Sequence, residues 1–187
     1  RGIEAAFDGG GILVERIREP VLALAIIAGG SAGDRFAAII ACEATERIVG
    51  RQTPWAWHPE INQSLFVPEW IHGLMAPQSP DKYRWETWWY YSQGGPGIFK
   101  GDLYFYSYNH DFRGQTQKLS GKVPMYYMTG VYDFACTPEM TEEAARNTKN
   151  SECIIMEEIG HFPMSENPEV FNRYLYPVLE KIVAASK

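Results

Sequence analysis

Asp133 and His161 are the side chains of this 187-residue chain whose surroundings best suit proton chemistry. Each follows a short apolar run closed by glycine. Val123-Pro124-Met125-Tyr126-Tyr127-Met128-Thr129-Gly130 precedes Asp133, and Ile154-Ile155-Met156-Glu157-Glu158-Ile159-Gly160 precedes His161. Both runs read as buried parallel strands with a helical segment between them, so the unit is strand–Asp–helix–strand–His. An open α/β sheet places its ligands at the carboxyl ends of such strands. A buried carboxylate that accepts from one imidazole nitrogen fixes the tautomer and stabilises the imidazolium, which leaves the other nitrogen to act as a base. His58, His72 and His110 have no comparable context and read as structural or surface residues.

A base of this kind acts on a nucleophile. Gly29-Gly30-Ser31-Ala32-Gly33 matches G-x-S-x-G, and Asp before His is the chain order of one large class of serine hydrolases. The pentapeptide follows the β-compatible run Val21 to Ala28 and precedes a stretch readable as a helix from Asp34 to Val49. Strand, sharp turn and helix together make a nucleophile elbow, with Ser31 as nucleophile and the Ala32 N–H as an oxyanion donor. A competing parse reads Asp34 to Glu43 as a loop followed by a buried strand. Val21 to Ile27 then ends the preceding helix, and the nucleophile falls near or before residue 15, where there is no serine. Ser92, in Tyr91-Ser92-Gln93-Gly94-Gly95, is a third candidate with no strand before it.

The elements that must position these groups are clearest in the carboxyl half. Thr137-Pro138-Glu139 is a helix start, with an N-cap, a first-turn proline and an early acid. Cys153 to Met156 reads as a short buried strand. Asn167-Pro168-Glu169 repeats the start signal, and Val170, Phe171, Tyr174, Leu175, Val178, Leu179 and Ile182 follow at helical spacing. Pro177 is expected to kink or divide that helix. Residues 51–117 differ in character: they hold all six tryptophans, and Gly94-Gly95-Pro96-Gly97 interrupts an aromatic-rich helical stretch. They read as an inserted lid, with 1–50 and 118–187 as the core. Trp85, Trp88, Trp89 and Tyr91 are the expected wall of an apolar substrate pocket.

Over 121–183, and above all in Tyr127-Met128-Thr129-Gly130-Val131-Tyr132-Asp133 and Gly160-His161-Phe162-Pro163-Met164-Ser165-Glu166-Asn167-Pro168, the chain resembles the α/β-hydrolase superfamily. The second stretch is similar to that family's GH-x-P-x-x-E-x-P loop. The resemblance implies an α/β fold with a mostly parallel sheet, here shortened at the amino terminus, and an inserted helical lid. It implies Asp133 as triad acid and His161 as triad base. Asp34-Arg35-Phe36 and the aliphatic run after it also resemble the family's strand that follows the nucleophile helix, which belongs to the competing parse. The activity expected is a carboxylesterase working through an acyl-enzyme, on an ester with an apolar or aromatic group. The alternative is a non-catalytic hydrolase-like protein that binds a ligand or partner under its aromatic lid.

Composition narrows the partners. A net charge of −6 argues against nucleic acid and anionic membranes. The longest apolar run, Val21 to Ala28, is far short of the ~20 residues that span a bilayer. Cys42, Cys136 and Cys153 are odd in number and unclustered, which predicts reduced thiols and a cytoplasmic setting. No metal-ligand spacing or phosphate loop is present, so neither metal nor cofactor is expected. A short sheet exposes an edge strand, which a homodimer could complete.

Overall fold

The computed structural model describes residues 3–7, 10–14, 36–48, 58–94, 97–119 and 121–186. Among these, five strands form one sheet in the order β1-β2-β3-β4-β5: β1 (Ile3–Phe7), β2 (Gly10–Val14), β3 (Phe36–Cys42), β4 (Met125–Gly130) and β5 (Ser151–Met156). β1 runs antiparallel to β2, and every other pair is parallel. The carboxyl ends of β2 to β5 therefore meet at one end of the sheet.

β3 and β4 are apolar at nearly every position because both of their faces are covered, as parallel sheets require. Ile39 and Ala41 of β3, with Met125 and Tyr127 of β4, face Ala144 and Ala145 of α4 (Pro138–Asn147). Ala38, Ile40 and Cys42, with Tyr126 and Met128, face Val170, Phe171, Leu175, Val178 and Ile182 of α6 (Pro168–Ala185). Each such side chain contributes roughly 1.5–3 kcal/mol when fully buried.

Two sequence expectations change here. Phe36–Cys42 is a strand, not part of a helix over 34–49. The run is apolar throughout and so carries no helical period. Pairing with β2 on one side and β4 on the other satisfies its backbone, as the competing parse had it. Of the two outcomes expected at Pro177, division is excluded, because α6 runs through it as one helix. Pro177 lies on the exposed side, where water can satisfy the carbonyl one turn back that loses its partner. The proposed strand Val21 to Ala28, Ser31 and Ala32 lie outside the described residues.

Between β3 and β4 the chain forms α1 (Gln63–Gly73), α2 (Asp81–Ser92) and α3 (Ile98–Tyr104), followed by a π-helical turn, Phe105–Asn109, and a 3₁₀ turn, Thr116–Lys118. The two ends of this stretch are pinned together. The Phe112 N–H donates to the Glu46 carbonyl at 2.8 Å, His110 Nε2 meets the Thr45 carbonyl at 3.0 Å, and the Thr116 hydroxyl donates to the Glu46 carboxylate. Asn147 of α4 donates to the other Glu46 oxygen at 2.7 Å. α1 buries Val67 and Ile71, with Leu74 just beyond it, in a small core of its own that reaches Ala135 and Phe162. Among the described residues no helix is long and apolar enough to cross a membrane.

Candidate active site

Asp133 lies in the turn between β4 and α4, and His161 in the turn between β5 and α5 (Pro163–Glu166). The two turns are laced together by backbone bonds: Val131 N–H to the Met156 carbonyl and Tyr132 N–H to the Ile159 carbonyl, each at 3.0 Å. Gly130 is glycine because of this approach. A Cβ there would lie 2.3 Å from the Ile159 carbonyl oxygen. Gly160 is equally constrained: a Cβ would lie 2.4 Å from the Leu74 carbonyl oxygen, in the loop after α1. The His161 N–H donates to that same carbonyl at 3.0 Å.

His161 Nδ1 sits 2.7 Å from Asp133 Oδ2. Oδ1 of the same carboxylate accepts from the Ala135 and Cys136 N–H groups at 2.7 and 2.9 Å. Asp133 is 2% exposed. Burial alone would raise its pKa, yet the charge and hydrogen bond of His161, with other donors, hold it below the ordinary value. The carboxylate stays ionised, holds Nδ1 and leaves Nε2 as the basic nitrogen.

Two buried glutamates frame this pair. Glu166, fully buried, accepts from the N–H groups of Gly160, Phe162 (3.2 Å) and Ala76 (3.2 Å) and from the Ser79 hydroxyl (3.1 Å). It clamps the His161 turn onto the loop after α1, and burial raises its pKa. Its signal was the glutamate of the loop motif. Glu43 follows β3 directly, with a left-handed φ of 50°. Its carboxyl accepts from the Thr129 hydroxyl at 2.7 Å and the Gly130 N–H at 3.3 Å. Sequence reading passed Glu43 over: its only signal is an acid just beyond an apolar run, and 90 residues separate it from Asp133.

His161 opens onto a cleft of about 70 Å³ whose walls include Trp70, Tyr91, Phe99, Tyr106 and Phe162, with Asp102 among them. That volume holds several water-sized positions, enough for a small group. Of the expected aromatic wall only Tyr91 is here. Trp85 and Trp89 are 54% and 59% exposed, and Trp88 donates its indole N–H to Glu69. Helical steps explain the difference. Thr87 and Tyr91, four apart, share the inner face of α2, while Trp85 and Trp89, also four apart, share an outer one. Among the other histidines, His110 is buried against Thr45, His72 stacks on Trp85, and His58 accepts from the Glu60 N–H.

Among the described residues, Asp133, Cys136 and His161 bring ligand atoms within 4.8 Å of one another. The His161–Asp133 contact is a 2.7 Å hydrogen bond, so an ion between them would have to part the pair.

No family model matches the sequence, and no curated protein does. Solved structures do match. An esterase from Thermogutta terrifontis aligns with a TM-score of 0.68 at 19% identity, over 85% of this chain and 61% of its own. An enol-lactonase from Burkholderia xenovorans aligns at 0.67 and 14%, over 83% and 60%. A bromoperoxidase from Bacillus anthracis aligns at 0.65 and 15%, over 84% and 63%. The chain thus spans about three fifths of the length of each. Its mostly parallel sheet, with Asp133 and His161 beyond neighbouring strands and helices inserted between β3 and β4, is the α/β-hydrolase fold.

Proposed function

We propose that this chain uses Asp133 and His161 as the acid–base pair of an ester hydrolase, which takes a small apolar or aromatic group of its substrate in the cleft beside His161. The observation that carries the reading is the 2.7 Å His161–Asp133 bond at the wall of an aromatic cleft. Ser31 is the sole hydroxyl or thiol residue between Val14 and Phe36, and it is the nucleophile in this reading.

The Ser31 proton passes to His161 Nε2 as the serine oxygen attacks the ester carbonyl. The Ala32 N–H donates to the oxyanion. The intermediate collapses, the alcohol leaves with the proton from the imidazolium, and the acyl group stays on Ser31. Water then gives a proton to Nε2 and attacks the acyl carbon; the C–O bond to Ser31 breaks, the imidazolium returns that proton to the Ser31 oxygen, and the acid is released. Asp133 remains ionised throughout and stabilises the imidazolium. Loss of one oxyanion donor costs on the order of 10²–10³ in rate.

One observation favours the second reading, a binding protein without a nucleophile. The element after Ser31 is strand β3, not the helix of a nucleophile elbow, and residues 15–30 contain no serine, threonine or cysteine. In that reading the cleft holds a small apolar ligand and the acid–base pair performs no chemistry.

Fluorophosphonate labelling followed by peptide mapping, together with turnover of short aryl esters, separates the two. The hydrolase gives one adduct on Ser31, and His161→Ala lowers kcat/KM by about 10²–10⁴ while folding is kept. Ester turnover that survives Ser31→Ala would remove Ser31 from the mechanism. A folded protein with neither adduct nor turnover would leave the binding reading.

A further inference from the structure

We infer that Glu43 is a positioning residue: a neutral carboxylic acid whose O–H donates to Asp133, so that the two carboxyls share one proton and present a single negative charge to His161. The inference rests on reading Asp133 and His161 as the acid–base pair.

Three observations support it. First, the two carboxyls are buried neighbours: Thr129 Oγ1 bonds Glu43 Oε2 at 2.7 Å and the Cys136 carbonyl at 3.0 Å, and the Cys136 N–H donates to Asp133 Oδ1 at 2.9 Å. Like charges so close cannot both persist when buried, and one of the two acids is pushed upward. Second, the donors fall unevenly. Asp133 accepts from Ala135 N–H, Cys136 N–H and His161 Nδ1, the last being its charge partner. Glu43 has Thr129 Oγ1 and the Gly130 N–H, which are both neutral. An ionised carboxylate has about four acceptor positions, so three N–H groups and the Glu43 O–H fill those of Asp133. The proton therefore belongs on Glu43. Third, the backbone holds Glu43 in place. Its N–H donates to the Met128 carbonyl at 2.8 Å, its φ is 50°, and it is 7% exposed.

The groups that face the acid come from three places. From β3 there is the buried thiol of Cys42, raised chiefly by burial. From β4 come Thr129 and Gly130, and from the turn before α4 come Asp133 and the Cys136 carbonyl, which also accepts from Thr129 Oγ1 at 3.0 Å. His161 reaches Glu43 through Asp133. Burial, then the charge of Asp133, raises the Glu43 pKa well above the ordinary glutamate value.

Held this way, Glu43 orients Asp133 Oδ2 toward His161. It also lowers the proton affinity of Asp133, so the proton stays on the imidazole.

The test is NMR titration of His161, identified by the resonance lost in His161→Gln, in the wild-type chain and in Glu43→Gln. A glutamine keeps a donor toward Asp133 and changes no charge if Glu43 is neutral. The His161 pKa is then expected to stay within about 0.3 unit, whereas loss of a neighbouring anion lowers it by about one unit or more. Infrared difference spectra should show a protonated carboxylic acid at neutral pH that Glu43→Gln lacks. A fall in the His161 pKa, or no protonated acid in the spectrum, would overturn the inference. Neither readout uses turnover. An inactive chain with the shared proton refutes the ester reading alone, and an active chain without it refutes this inference alone.

Discussion

At the scale of single residues, two glycines decide whether Asp133 and His161 meet. Neither is required by a left-handed backbone. Each stands where another strand of backbone passes too close for a Cβ. Gly160→Ala would drive a methyl into the Leu74 carbonyl and the Ala76 nitrogen, both main-chain atoms that cannot rotate away. The expected cost is about 1–3 kcal/mol of stability, as for other overpacked sites, together with loss of the His161 N–H bond to Leu74. Gly101 in α3 is the control: nothing lies within 4 Å of its would-be Cβ, so alanine there should stabilise by up to about 1 kcal/mol. Urea denaturation of the two variants checks the contrast. Equal effects would show that the close approach at Gly160 is not what the residue is for.

Among the elements, α4 and α2 show two ways in which a helix serves the site. α4 starts where the sequence says, because the Thr137 side chain accepts from the Met140 N–H and Pro138 occupies the first turn. Its start fixes the turn in which Asp133 accepts from Ala135 and Cys136. α2 serves through one face. Tyr91 packs on Phe162 with ring centres 5.2 Å apart and lines the cleft, while Trp89 points outward. Tyr91→Ala should weaken binding of a small aryl ligand or raise KM by about tenfold, equivalent to about 1.4 kcal/mol. Trp89→Gln should leave it within about twofold, since it removes an exposed ring. Isothermal titration or ester kinetics reads both, and the reverse ranking would place the ligand on the outer face of α2.

For the molecule as a whole, the buried acids couple stability to pH. Asp133 is held below 3.8, so the stability it contributes is full above that value and lost as pH falls through its lowered pKa. Glu43 has the opposite sign. Its pKa is raised above 4.5, so its contribution is full below 4.5 and declines as pH rises toward the raised value. Buried His110, whose pKa is lowered, acts in the other direction below 6.5. Comparing wild type with Glu43→Gln cancels the groups that Glu43 does not touch. The wild-type advantage should shrink by up to about 1.4 kcal/mol per pH unit as pH rises above 4.5 toward the raised value. Urea midpoints across that range measure it, and parallel curves for the two proteins would contradict a raised acid at Glu43.

The sequence by itself determined β4, α4, β5 and α6, and with them Asp133 and His161. Their signals are local: a capped helix start, an apolar face at helical spacing, and a glycine where a strand gives way to a functional turn. Only the tertiary structure decided the identity of β3. Phe36–Cys42 is apolar at every position, and pairing on both sides, not periodicity, makes it a strand. Tertiary structure also chose the cleft wall. Dense aromatics mark α2 in the sequence, but packing on α1 and α5 turns Tyr91 inward and leaves Trp85 and Trp89 outside. Glu43 and Glu166 belong to the same class. Each meets partners some 90 residues away, Glu43 at Asp133 and Glu166 at Ala76. Such meetings depend on strand register and loop packing, which no window of neighbouring residues encodes.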